Sequence, residues 1–223
     1  HIYREEQERC ALLSQDRALN AISKGKFKEQ IVPIEVKTKK GTINFENDEH
    51  PRKTNLEELA KMKAAFKNDG TVTAGNASSL NDGASAIVIM SRERADELGI
   101  KPLAKLLSTA TVGVEPRIMG IGPVYAIPKA AEYAGMSVDD IEYFEINEAF
   151  AAQVLACIKE LNINIDDINA NGSGISLGHP VGSTGLRLIM AAYYELVDRN
   201  KKIGCGSLCA GGGPAMAVII ERI

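Results

Sequence analysis

No apolar run in the 223 residues is long enough to cross a membrane, and no secretory leader pattern opens the chain. Nor does either sign of charge dominate: 26 Lys and Arg stand against 29 Asp and Glu, for a formal net charge of −3. A general basic surface for nucleic acid is therefore excluded. The four cysteines, Cys10, Cys157, Cys205 and Cys209, form no C-x-x-C pair, and no histidine stands at zinc-finger spacing from them, so no metal site is expected. In a chain of this size they read as reduced thiols of a cytoplasmic protein rather than a disulfide framework. An initiating methionine is also lacking, and His1 to Gln7 reads like the start of a helix cut from something longer. What is present is ordinary: 45% hydrophobic and 25% charged residues, enough for a core in one large domain or two smaller ones.

The pattern along the chain alternates helix and strand. Residues 4–24 have helical character, with Gly25 as the stop. Ile31 to Val36 reads as a short edge strand because of Pro33, and Lys37 to Arg52 as a surface loop or hairpin. Helical spacing returns over Thr54 to Asn68, with Thr54 as cap and Glu57 as the capping-box acid. Thr71 to Gly83 is small, polar and glycine-containing, as a loop lining a ligand would be. Ala84 to Met90 is an apolar run of strand length, and Ser91 caps a helix ending at Gly99. A second unit starts at Lys101. Its strands are Leu103 to Val114, Ile141 to Ile146, Ile203 to Leu208 and Ala215 to Ile220, and its helices are Pro123 to Ala134, a segment through Leu161, and one over Leu186 to Val197. Such alternation implies an α/β layered domain, and the short link between the last two strands implies an antiparallel pair in a mixed sheet. Ala84 to Ile89 also echoes Ala215 to Ile220, as the last strands of a duplicated unit would.

Three short motifs fall where strands end, which is where α/β sheets build their sites. They are Asn147-Glu148-Ala149-Phe150, the glycine-framed Gly178-His179-Pro180, and Cys209-Ala210-Gly211-Gly212-Gly213. The residue types suit acyl chemistry. His179, at or just before a helix N-terminus, should stay neutral and serve as a base. A thiol such as Cys209 can act as nucleophile or base beside an imidazole. The glycines after it leave N–H groups free for an oxyanion, and Asn147 can donate or hold a water that donates. Each motif also has a plain structural reading: a capping histidine, a buried cysteine, a tight turn, and Glu148 as a first-turn helix acid.

Together, Asn147-Glu148-Ala149-Phe150, Gly178-His179-Pro180, Cys209-x-Gly211-Gly212 and the loop from Thr73 to Ala84 resemble the motifs of thiolases, in that family's order and through essentially the whole chain. The resemblance implies a layered fold with a mixed five-stranded sheet covered by helices. It also implies part of an α/β loop (lid) domain over 1–79, the closing strand and helix of an N-terminal domain over 80–100, and a C-terminal domain over 101–223. The implied activity is the reversible condensation of two acetyl-CoA to acetoacetyl-CoA and CoA through an acyl-cysteine. No tightly bound cofactor is implied, only coenzyme A and its acyl esters as substrates. His179 would activate the nucleophile and serve one oxyanion site with Asn147. Cys209 would move the α-proton, and the Gly211 N–H would serve the other oxyanion site. Ser78, Ala74, Leu80, Phe66 and Phe150 would lie along the pantetheine arm, and Arg52 near the nucleotide end. The family's nucleophile belongs to an N-terminal half that this sequence does not contain; Cys10, in its charged helical setting, does not replace it. That half is thus an implied partner, alongside a homo-oligomeric state of dimers or tetramers. Two alternatives are a non-catalytic acyl-CoA-binding or assembly protein and a stand-alone cysteine hydrolase built on Cys209 and His179.

Overall fold

The computed structural model describes residues 1–223. Helix α1 (Arg4–Ser23) ends where Gly25 turns left-handed, φ 68°. It buries Cys10, Ala11, Ala18 and Ala21. A two-stranded hairpin follows, β1 (Ile34–Thr38) against β2 (Gly41–Phe45), with every residue exposed. The strand predicted from Ile31 thus begins three residues later, past Pro33, and its partner comes from the segment read as loop or hairpin.

Helix α2 is only Leu56–Ala60. Asn55 caps it, not Thr54, by accepting the N–H of Glu58 at 2.9 Å. The expected continuation to Asn68 fails because the chain turns back on itself: Ala65 N–H donates to Val72 O at 2.8 Å and Ala64 bridges Thr73. Helix α3 (Arg92–Leu98) starts at Ser91, whose side chain accepts the Arg94 N–H, and stops at Gly99, φ 64°. Between them, Ala84–Met90 is not a strand. Its backbone lies beside no other strand, and Val88 and Ile89 are 84% and 73% exposed. A run of strand residues becomes a strand only with a neighbour to bond, and here none is alongside.

The second unit is built on one mixed sheet. Strands β3 (Ala104–Gly113), β4 (Tyr143–Ile146), β5 (Ile203–Cys209) and β6 (Pro214–Arg222) lie in the order β3-β6-β5-β4. β6 runs antiparallel to both neighbours, and β4 and β5 are parallel. The sheet therefore has four strands rather than five. The fifth position is reduced to a single parallel bridge, Phe144 to Ile168, beyond β4. Helices α4 (Gly122–Tyr133), α5 (Ala151–Leu161) and α7 (Thr184–Asp198), with the short turn α6 (Gly174–Leu177), complete the unit. The main core joins Ala126, Ile127 and Ala130 of α4 to Ile146, Cys205, Ala217 and Ile219 of the sheet and to Ala151, Val154 and Cys157 of α5. On the other sheet face, Ala192 and Leu196 of α7 pack on Tyr143 and Ile220. The parallel strands β4 and β5 end side by side, and the loops leaving them carry two of the three motifs.

Candidate functional site

Asn147 follows the last residue of β4, and its N–H donates to Ser207 O on β5 at 3.0 Å. That bond sets Asn147 beside the end of β5, where Cys209 is the last residue. The Asn147 side chain is fully buried, and neither its Oδ1 nor its Nδ2 has a hydrogen-bond partner in the protein. Leaving both buried atoms of an amide unpaired costs about 1–3 kcal/mol each. Such a group is kept for something that binds there: a water or a ligand atom. A Cβ on Gly174 would stand 2.7 Å from Asn147 Oδ1, so the start of the histidine loop packs directly on this amide.

Cys209 is 5% exposed, and burial raises its thiol above the ordinary value. At neutral pH it therefore stands protonated, as a proton donor. No hydrogen bond joins it to His179. Cys205 and Cys157 are core residues, both fully buried, with thiols pushed up to about 12 by burial. Cys10 is likewise buried and raised, which removes it as a thiolate nucleophile. After Cys209 the chain reverses in a tight turn: Ala210 N–H reaches Pro214 O at 2.8 Å, and Gly213 N–H reaches Ala210 O at 3.2 Å. The N–H groups of Gly211 and Gly212 make no hydrogen bond within the turn; Gly211 is exposed, and a Cβ there would meet nothing within 4 Å. Two unused donors at the end of a sheet are what an oxyanion needs.

His179 lies between α6 and α7, five residues before Thr184, the first residue of α7. Its N–H donates to Asn81 Oδ1 at 3.1 Å and to Ser79 O at 3.2 Å. Its ring Nδ1 is 2.7 Å from Thr184 Oγ1. Gly178 has φ 86°, and a Cβ there would collide with the Asn81 side chain, so only glycine lets the histidine loop close on residue 81. The imidazole is held below its usual pKa, first by burial and second by the Arg187 guanidinium on α7. The neutral state expected from a helix terminus is thus found, with different causes. Arg187 itself is half-buried, its Nε and Nη2 shielded and without a partner, and the carboxyl groups of Glu145, Asp48 and Glu148 are its titratable neighbours.

Residues 73–81 tie the Asn147–Phe150 and His179 motifs together. Ala77 bridges Phe150, Ser78 N–H donates to Ala149 O at 2.9 Å, and Leu80 bridges His179. Asn76 shapes the loop from inside by accepting the Thr73 N–H and donating to Thr71 O. Ser78 is half-buried, Ala74 and Leu80 are exposed, and Phe66 meets Phe150 edge-on with ring centroids 6.1 Å apart. The exposed Phe66 and Leu80, at 74% and 90%, leave an apolar rim around the strand ends. Arg52 stands apart: its N–H is held by Gln15 Oε1 at 2.9 Å, and its side chain is free in solvent. Neighbouring His50 is half-buried, with its ring Nδ1 2.9 Å from Ser176 O.

Glu148 is not a first-turn helix acid, since α5 begins at Ala151. It is buried, with its carboxyl raised by desolvation, and receives Ser14 Oγ at 2.6 Å, Asn169 Nδ2 at 3.2 Å and Ile175 N–H at 3.4 Å. It pins α1 and the histidine loop to the end of β4. The sequence reading did not single out Asn81, Thr184 or Arg187. The only signal was their spacing: Asn81 within a polar loop, Thr184 five and Arg187 eight residues after the histidine.

Family models match the chain in two parts: "Thiolase, N-terminal domain" over residues 1–93 and "Thiolase, C-terminal domain" over residues 100–222. An acetyl-CoA acetyltransferase of Syntrophomonas wolfei is 50% identical over all of this chain and 57% of its own length. Among solved structures, the Bacillus anthracis acetyl-CoA acetyltransferase superposes with a TM-score of 0.97 at 49% identity, covering 100% of this chain and 57% of that one. Human mitochondrial 3-ketoacyl-CoA thiolase does so with a TM-score of 0.97 at 46% identity, over 100% and 56%. The chain thus spans somewhat more than half the length of the relatives it matches.

Proposed function

The chain belongs to the thiolase family, and from that premise we propose that it supplies the acid–base and oxyanion half of an acetyl-CoA C-acetyltransferase. The observation that carries the reading is the Asn147 amide, buried with no partner, at the strand end it shares with Cys209 and beside the loop of a neutral His179. Mere binding of an acyl-CoA does not require a base, a thiol and this amide together.

The division of labour follows from the states of the groups. His179, neutral, takes the proton of a nucleophilic cysteine supplied by sequence outside this chain, and that thiolate takes the acyl group from one acyl-CoA, releasing CoA. Cys209 serves the second acyl-CoA. In synthesis its thiol first gives its proton to the departing CoA thiolate; the Cys209 thiolate so formed then accepts the α-proton as the enolate forms and attacks the acyl-enzyme, and the first cysteine leaves as thiolate and takes its proton back from His179. In thiolysis Cys209, standing as the thiol, returns that proton to the enolate. The unused N–H of Gly211 receives the oxyanion of the acyl-enzyme step, and Asn147 with His179 receives the enolate oxygen. Ser78, Ala74, Leu80, Phe66 and Phe150 line the pantetheine arm, and Arg52 meets the nucleotide end.

In this reading residues 1–79 are part of a lid-like loop domain, 80–100 belong to the N-terminal domain, with α3 and the run Ala84–Met90, unpaired in this chain, that would close that domain's sheet once its remaining strands are alongside, and 101–223 are the C-terminal domain. The substrates are acetyl-CoA, acetoacetyl-CoA and CoA. The active form is a cytoplasmic homo-oligomer, a dimer or tetramer, working in fatty acid metabolism. No helix is long and apolar enough to cross a membrane.

The test is cleavage of acetoacetyl-CoA by CoA in the full-length protein. His179→Ala and Cys209→Ala each lower kcat about a hundredfold or more, the usual share of a general acid or base. Full activity in both variants would overturn the assignment.

A further inference from the structure

The first turn of α7 holds one hydroxyl within reach of both a ring nitrogen and a carbonyl oxygen. Thr184 Oγ1 is 2.7 Å from His179 Nδ1 and 2.9 Å from Pro180 O. The hydroxyl has a single proton for the two contacts. Were that proton directed at Nδ1, Oγ1 and the carbonyl oxygen would face each other at 2.9 Å with no hydrogen between them, lone pairs against lone pairs. Directed at the carbonyl, it makes one bond, and the second contact becomes a bond only if Nδ1 brings its own proton. Only this arrangement satisfies both distances. It is also the way threonines inside helices commonly bond, back to the carbonyl four residues earlier.

The acceptor is held firmly. Thr184 is fully buried, its N–H and that of Ser183 both reach Pro180 O at 2.9 Å, and its β-branched side chain has few rotamers available. The backbone that carries the ring is held by the His179 N–H on Asn81 Oδ1. A neutral imidazole carries one ring proton, so a proton on Nδ1 leaves Nε2 with a free lone pair.

We propose that Thr184 is a positioning residue: it fixes His179 as the Nδ1–H tautomer and so makes Nε2 the nitrogen that meets the reacting groups. This rests on His179 serving as the base, but the tautomer can be measured without any turnover. In the full-length protein labelled with nitrogen-15 histidine, His179 is assigned by comparison with His179→Asn. Its Nε2 should resonate as an unprotonated ring nitrogen and its Nδ1 as a protonated one. Thr184→Val keeps the side-chain shape and removes the hydroxyl. It should shift His179 toward the Nε2–H form and lower kcat roughly tenfold or more, the size of part of a general-base contribution, with KM for acetoacetyl-CoA little changed. Thr184→Ser should restore both spectrum and kcat. An Nε2–H ring in the unmodified protein overturns the proposal, as does a Thr184→Val protein with unchanged tautomer and kcat, or a Thr184→Ser protein that loses the tautomer. If Thr184→Val does not fold, the unmodified and serine proteins still decide it. Should His179→Ala retain full activity while the tautomer is as described, the base assignment fails and the positioning contact stands.

Discussion

Two stretches with nearly the same letters meet opposite fates. Ala84-Ser85-Ala86-Ile87-Val88-Ile89 and Ala215-Met216-Ala217-Val218-Ile219-Ile220 share composition and rhythm. The second is the middle of β6, bonded to β3 on one side and β5 on the other, with Ala217 and Ile219 fully buried. The first is unpaired and largely in solvent. It is anchored only near its start, where Ser85 Oγ donates to Ser183 O at 3.1 Å and Gly83 packs on Pro180. An apolar run thus states a capacity for sheet, and the neighbouring strand decides whether it is used. The same contrast divides the site: His179 and Cys209 stand on a framework with a core, while the loop that closes over them comes from the segment without one.

The sharpest way to break the comparison is to place the same charge in both runs of this chain. Ile219→Asp buries an unpaired carboxylate in the core and should cost 4 kcal/mol or more, about the whole margin of a marginal domain. Ile89→Asp at its exposed twin should change stability by less than about 0.5 kcal/mol. Equal denaturation midpoints would dissolve the distinction. A second, smaller effect is expected at the joint between the regions. Gly178→Ala forces a left-handed residue against Asn81 and should cost about 1–3 kcal/mol while releasing the histidine loop, visible as faster amide exchange at residues 79–81.

How much of this was legible beforehand follows the same line. The strands of the second unit, the Ser91 and Gly99 bounds of α3 and the antiparallel β5–β6 pair could be read because local chemistry and tertiary surroundings agree there. The Thr54–Asn68 helix and the Ala84–Met90 strand could not, because their fates are set by a turn-back at Ala65 and by an absent neighbour. In the site, His179, Asn147, Cys209 and Gly211 announced themselves by motif. Thr184, Asn81 and Arg187 act through hydrogen bonds and charge across loops, and spacing alone does not reveal which hydroxyl points at which ring. Glu148 looked like a helix acid and is a buried strut, since a carboxylate after a strand reads the same in either role.

The pH dependence sharpens the electrostatic side of the comparison. His179 is held below its ordinary pKa by burial and by Arg187, so its neutral form persists past pH 6.5 on acidification. If it is the base, the acid limb of kcat/KM in the full-length protein lies below pH 6.5, and the stability this neutral histidine supports is present above 6.5 and lost as pH falls through the lowered value. An acid limb above 6.5 would contradict the assignment. The smallest expected effect is at the anchor itself. Ser85→Ala removes one partly buried hydroxyl and should cost about 1 kcal/mol or less, with kcat nearly unchanged.

The central claim is that His179 and Cys209 divide the reaction, one serving the acyl cysteine and the other the α-carbon. Exchange of the α-protons of acetyl-CoA with deuterated water, followed by mass spectrometry in the full-length protein, tests it most directly. Cys209→Ala should abolish that exchange while acyl transfer from acetyl-CoA to the enzyme persists. Undiminished α-proton exchange in Cys209→Ala would contradict the account.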